Sequence, residues 1–307
     1  MSSEILGSGQ NVLKGNLGGA WDIMHGYADA YPEKSELLSR RFGGASAAYS
    51  LRDIGAMGKR VVRVRIDGTT TEEDFSAVQL ATGALAAFCG SSSGFVTKWY
   101  DQSGNGNDAI QASTPNQPLI VLAGTFLNEI VFDGTNDFLQ TDNQVLTGTE
   151  TGANGIYAVV KVTSNDSGYV AGSASDNSGS DKVGQSIYAD GASNNKFILT
   201  NGSDANATDF DNITIVEGSF CLVSSCYTNQ SENTLQVNGG TTGYANGTDP
   251  YDFNAGTKFT IGHRERSSGV VGATMLNGSL KEIIAFDIDT TSDRSEIQAD
   301  IINYYGL

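Results

Sequence analysis

From residue 95 onward the chain is a succession of short β-prone runs separated by Gly, Asn and Asp. FVTKWYD, PLIVLAG, NEIVFDGTNDFLQ, IYAVVKVTS, QSIYAD, KFILTNG, SFCLVSSCYT, NTLQVNG, KFTIGHRE and LNGSLKEIIAFDID follow one another at intervals of roughly ten to twenty residues. The pattern therefore predicts an all-β antiparallel sandwich, a jelly roll, rather than a parallel α/β fold. The closing stretch TTSDRSEIQADIINYYGL predicts a short C-terminal helix, with Ser292 as its cap and Ile297, Ile301 and Ile302 on one stripe.

The first 94 residues are less regular. Residues 1–42 show no strand alternation and are expected to form an irregular N-terminal arm for attachment or oligomerisation. Residues 43–307 are expected to form the sandwich, with 43–120 as a lead-in carrying one helix. KRVVRVRIDG (59–68) alternates apolar and basic residues, as a half-buried strand does, and the acidic residues after it are the expected charge partners. TEEDFSAVQLATGALAAFCG (71–90) has helical spacing, with Thr71 and Asp74 as an imperfect capping box and Leu80, Leu85 and Phe88 as the buried face.

Composition excludes several functions. A net charge of −17 over 307 residues argues against a nucleic-acid partner, which needs Lys and Arg to displace counterions, and against an anionic membrane surface. MSSEILGSGQ has neither a basic n-region nor an apolar h-region, so no signal peptide is expected, and no apolar run approaches the roughly 20 residues that span a bilayer. The three cysteines, Cys89, Cys221 and Cys226, form no CxxC and are expected to be free thiols, with Cys221 and Cys226 on opposite faces of one strand. The two histidines, His25 and His263, have no metal-ligand spacing.

The motifs AAYSLR (47–52), VVRVR (61–65), FVTKWYDQSGNGNDAIQ (95–111), QPLIV (117–121) and IVFDGTNDFLQ (130–140) occur in that order. This set resembles the N-terminal part of the family-54 α-L-arabinofuranosidase catalytic domain, and the lectin-like domains of bacteriophage structural proteins that share those motifs. The second half, with YAVVKV, LQVNG, FTIGHRE and LNGSLKEIIAF before a terminal helix, is similar to the concanavalin A/laminin-G jelly roll. The resemblance covers about residues 43–307. It implies the sandwich fold and a choice between enzyme and lectin-like module.

The arabinofuranosidases use a paired carboxylate nucleophile and acid and carry adjacent cysteines. This chain has no Cys-Cys pair and no match to their Gly-Met-Glu-type nucleophile segment. Glu129, Glu217, Glu265 and Glu282 are the remaining acidic candidates, each also readable as a solvated strand face or a salt bridge, and Glu282 is expected to point outward. The sequence reading is accordingly a non-enzymatic phage virion structural protein, a capsid decoration or tail appendage. It would sit on the virion surface after assembly in the host cytoplasm, among sister subunits and other virion proteins. The alternatives are an α-L-arabinofuranosidase-type glycoside hydrolase and a host-encoded carbohydrate-binding adhesin module.

Two ligand sites follow from the same reading. Loop-borne aromatic and amide side chains can hold host-surface glycans, with Tyr188, Tyr244, Asn246, Asp249 and Tyr251 as the contacts. DQSGNG (101–106) fits the start of a calcium loop with Asp101, Ser103 and Asn105 as ligands, but the twelfth position is Ala112 where an EF-hand has Glu. The stronger reading is a turn that holds its own backbone, with Asp101, Gly104, Gly106, Asn107 and Asp108 as its parts, and no cofactor. DGTND (133–137) reads as a second polar turn, a hairpin between IVF and FLQ.

Overall fold

A computed structural model describes residues 44–55, 59–147, 153–163, 167–174, 183–190, 196–202, 215–228, 233–240, 242–245, 258–264 and 275–307. The expected arm, residues 1–42, lies outside them. The strands are β1 (Ala45–Ser50), β2 (Arg60–Ile66), β3 (Glu72–Ser76), β4 (Gly94–Trp99), β5 (Ala109–Ile110), β6 (Leu119–Leu122), β7 (Thr125–Asp133), β8 (Leu139–Thr141) and β9 (Asn154–Val162). They continue with β10 (Gly168–Ala174), β11 (Val183–Asp190), β12 (Lys196–Gly202), β13 (Phe220–Tyr227), β14 (Asn233–Val237), β15 (Gly243–Ala245), β16 (Phe259–Ile261) and β17 (Asn277–Phe286). The helices are α1 (Ala77–Ala81), α2 (Ala84–Cys89) and α3 (Arg294–Tyr305).

The architecture is the expected antiparallel sandwich with a short C-terminal helix. One layer runs β15–β14–β13–β9–β17. Along its free edge β17 pairs with β7 through residues 277–280 and with β1 through 282–286. From β7 the sheet curls through β6 and β4, then runs β5–β8–β16–β10–β11–β12 to form the opposing layer. Trp99, Tyr49, Phe132, Ile156, Val160, Val223, Phe259 and Ile283 fill the space between the layers. Tyr157, Val159, Leu222, Ile284 and Phe286 face the other way and pack with Ile297 and Ile301 of α3.

That double burial explains why IYAVVKV and EIIAF lack the alternation of a half-exposed strand. It also corrects the expectation for Glu282. This carboxylate does leave the central core, but the outer face is roofed by α3, so it is 1% exposed. Arg52 pairs with it bidentately at 2.7 and 2.9 Å, and the Ser50 Oγ–H and Tyr305 O–H donate to it at 2.8 and 3.0 Å. The Arg52 guanidinium also reaches Asp300 at 3.2 Å and lies 4.1 Å from the centre of the Tyr304 ring. A buried carboxylate is tolerable only with such complete pairing.

The segment 71–90 also departs from its reading. Residues 72–76 form β3, because Asp74 and Glu73 lie opposite Arg63 and Val64 of β2, and Asp74 binds both Arg60 and Arg63 at 2.6–3.0 Å. Those bonds, led by Arg63, hold the Asp74 carboxyl well below the usual range. Cross-strand charge pairing thus overrides helical spacing. The helix starts later, at a complete capping box of Ser76 and Gln79, and is split into α1 and α2 at Gly83. In α3 the N-cap is Asp293, with no side-chain cap bond, rather than Ser292. The cysteines are free, with Cys221 against the central core and Cys226 in the α3 core.

Replacing Arg52→Met strands Glu282 without its partner and is expected to lower stability by about 3–5 kcal/mol. The double variant Arg52→Met/Glu282→Leu is expected to regain most of that loss, as read from urea unfolding midpoints.

Candidate functional site

The corner after β7 brings together two carboxylates, Asp133 and Asp137, which the sequence reading took only as parts of a turn. DGTND is not a hairpin, because β7 pairs with β6 and β17 whereas β8 pairs with β5 and β16. The chain instead crosses from one layer to the other. Asp133 Oδ1 accepts the Thr135 and Asn136 N–H groups at 2.8 and 3.2 Å, and Asp137 Oδ2 accepts the Asp133 N–H at 3.0 Å. Gly134 has φ 75°, and a Cβ there would stand 2.8 Å from the Asn277 Cβ, so only glycine fits this close approach to β17. Burial, reinforced by the Asp133 charge, pushes Asp137 up to about 7.

These two carboxylates border a pocket of about 520 Å³. Phe95, Leu119, Leu122 and Val131 supply its apolar wall, and Arg65 lines it with Asp67, Asp133 and Asp137. Arg65 is 5% exposed and is fixed by neutral oxygens. Its Nε donates to Gln117 Oε1 at 2.8 Å and its Nη1 to the Ile66 and Thr69 carbonyls at 3.0 and 3.2 Å. The Gln117 amide in turn donates to the Gln111 carbonyl at 3.0 Å, and the Gln111 amide to the Phe138 carbonyl at 3.1 Å. Phe138 follows Asp137, so one chain of amides ties the arginine to the acidic corner. Such support keeps pocket groups in place.

The DQSGNG loop has no spare oxygen on its only charged member. Asp101 Oδ1 accepts the Ala48 and Ser103 N–H groups at 2.9 and 2.8 Å, and Oδ2 accepts the Asn107 N–H and the Ser103 O–H at 3.0 and 2.8 Å. Asp108 accepts the Asp101 N–H at 3.0 Å and Lys98 at 3.2 Å. Asn105 and Asn107 donate to the Ala45 and Ser46 carbonyls of β1 at 2.9–3.1 Å. Gly104 and Gly106 take φ 95° and 77°, which other residues resist. The loop therefore clamps β1 to the end of β4. Among the described residues, no group of three His, Cys, Asp or Glu side chains could hold a metal ion.

The other sequence candidates are dispersed. Tyr188 is half-buried, its ring 4.8 Å from that of Tyr169, whose hydroxyl accepts from Arg264 at 2.8 Å. Tyr244 lies in β15 opposite Thr234 by backbone pairing. Asn246, Asp249, Tyr251 and Glu265 lie outside the described residues. Glu129 pairs with Lys161 at 2.7 and 2.8 Å, Glu217 is exposed in the turn before β13, and Glu282 is the buried partner of Arg52. His263 is buried against Phe138, and burial lowers it to about 4. The sequence reading missed Asp137 and Arg65. The available signals were two aspartates four apart between apolar runs, and an arginine on an otherwise buried strand.

No family model and no curated protein matches the chain. Solved structures do. An arabinofuranosidase complexed with arabinofuranosyl-α-1,2-xylobiose matches at 14% identity over 86% of this chain, with a TM-score of 0.62. A family-54 α-L-arabinofuranosidase soaked with 4-nitrophenyl α-L-arabinofuranoside matches at 16% identity over 86% of this chain, with a TM-score of 0.63. The chain spans 64% of each of those proteins, less than two thirds of their length. At that identity the likeness shows the fold. It also corrects the expectation of a non-enzymatic virion protein, because these structural neighbours are glycosidases and the alternative of a glycoside hydrolase accords with them.

Two outcomes test this geometry. Asp101→Ala removes the acceptor of four donors and is expected to cost about 2–4 kcal/mol, measured by chemical denaturation. Asp137 is raised from the ordinary carboxylate range, so its contribution to stability is complete below about pH 4 and is lost as pH rises through about 7. Thermal melts at pH 5 and pH 8.5 are therefore expected to differ less for Asp137→Asn than for the parent protein.

Proposed function

We propose that the chain is a glycoside hydrolase with Asp137 as its general acid and Asp133 as the second carboxylate. The observation that carries this reading is an aspartate raised to about 7 that accepts the backbone N–H of a second aspartate, both lining one pocket. Glycoside hydrolysis needs a carboxyl that still holds its proton near neutral pH and a carboxylate beside it. Protonated Asp137 would give its proton to the leaving-group oxygen as the bond to the anomeric carbon breaks. Asp133 Oδ2, the oxygen not used by its own turn, would stabilise the positive charge that develops on the sugar. Water would then add through its oxygen to the anomeric carbon and return a proton to the Asp137 carboxylate. The arabinofuranosidase likeness makes α-L-arabinofuranosides the first substrates to try.

The test is release of nitrophenol from a panel of aryl glycosides, headed by 4-nitrophenyl α-L-arabinofuranoside. Turnover is expected to fall as pH rises through about 7, and Asp137→Asn is expected to lower it about 10²–10⁴-fold. Absence of turnover across the panel, or full activity in the Asp137→Asn protein, would overturn the assignment.

A further inference from the structure

Arg65 is the feature of this pocket that acid–base chemistry leaves unused. Its guanidinium is almost wholly buried, yet among the described residues no carboxylate pairs with it. Glu72 lies directly opposite on β3, but its Oε2 is 3.4 Å from the Thr97 hydroxyl and makes no ion pair with Arg65. The other arginines of the same strand behave differently, since Arg60 and Arg63 both bind Asp74. Buried arginine charge is normally matched by an acid, because removing it from water is costly. Here Nε and Nη1 are occupied by three neutral oxygens, Nη2 has no acceptor among the described residues, and the residue lines the pocket. The plane is held near the Phe95 ring, 5.4 Å from its centre, and by the Gln117–Gln111 amide chain.

We propose that Arg65 is a specificity-determining residue that receives the carboxylate of an acidic sugar. The ligand would be a uronic acid or its glycoside, with its carboxylate on Arg65 Nη2 and its ring against Phe95 and Leu119. The same pocket also carries Asp67, Asp133 and Asp137, with which Arg65 makes no ion pair among the described residues, so the arginine remains the group that can take the anion. A fixed arginine donor gives a directional, charge-assisted bond that a neutral sugar cannot match. The sugar part of this inference rests on the glycoside reading above; the anion part rests on Arg65 alone.

The experiment is calorimetric titration of the full chain with sodium D-galacturonate, D-galactose and sodium acetate. Galacturonate is expected to bind at least about tenfold more tightly than either of the others. Arg65→Gln is expected to abolish that preference, and Arg65→Lys, which keeps the charge but loses the fork, to retain part of it. Melting temperatures of both variants report whether the fold survives; if it does not, the preference of the parent protein decides. Equal binding of galacturonate and galactose overturns the inference, as does acetate binding as tightly as galacturonate. Preferential galacturonate binding with no cleavage of any aryl glycoside would support the role of Arg65 while removing the hydrolase reading. Cleavage of neutral glycosides with no preference for the acid would do the reverse.

Discussion

Strand β17 is hydrogen-bonded along both edges and covered on both faces, and this double enclosure sets what the rest of the molecule does. On one face Leu280, Ile283 and Ala285 enter the space between the layers, and on the other Ile284 and Phe286 meet α3. Glu282 sits on the second face, where a charge survives only because Arg52, Ser50 and Tyr305 converge on it. The ion pair thereby joins three parts of the chain that are far apart in sequence: the end of β1, the middle of β17 and the last turns of α3. Such a pair adds less net stability than an apolar substitute of the same shape would, but it penalises any arrangement that separates its members.

The pocket inherits its rigidity from the same strand. β7 runs beside β17, and the corner beyond it is pressed so close to Asn277 that Gly134 has no room for a side chain. Asp133 and Asp137 are therefore held by backbone geometry rather than by flexible side-chain contacts. Arg65, which lines the same pocket, is fixed by amides that lead back to the same corner. By contrast, the loop after Trp99 spends its acidic side chain on four donors of its own protein and serves as a clamp.

Much of the fold was legible because strand periodicity and turn residues are local signals. The runs IYAVVKV, FCLVSSCY and LKEIIAF all became strands, and Arg60 and Arg63 of RVVRVRI found their acid, Asp74, in the residues that follow. Where local signals competed, the reading failed. EEDFS has helical spacing but sits opposite a basic strand, so pairing decided. DGTND has hairpin composition but joins strands of different layers, because its neighbours in space were set by residues more than a hundred positions away. The candidate site was less legible than the fold. Asp137 is one of many aspartates in turns, and nothing local distinguishes a solvated one from one whose proton is retained by burial.

The residues by themselves determined the class of fold, the acidic surface and the self-binding turn at Asp101, since each depends on composition or on contacts reachable from nearby strand order. Tertiary structure alone decided that Glu282 is buried, that Asp133 and Asp137 line one pocket, and that Arg65 lies there with no ion pair among the described residues. Those properties depend on desolvation, and desolvation is fixed by which distant segments pack over a group rather than by its neighbours in the chain.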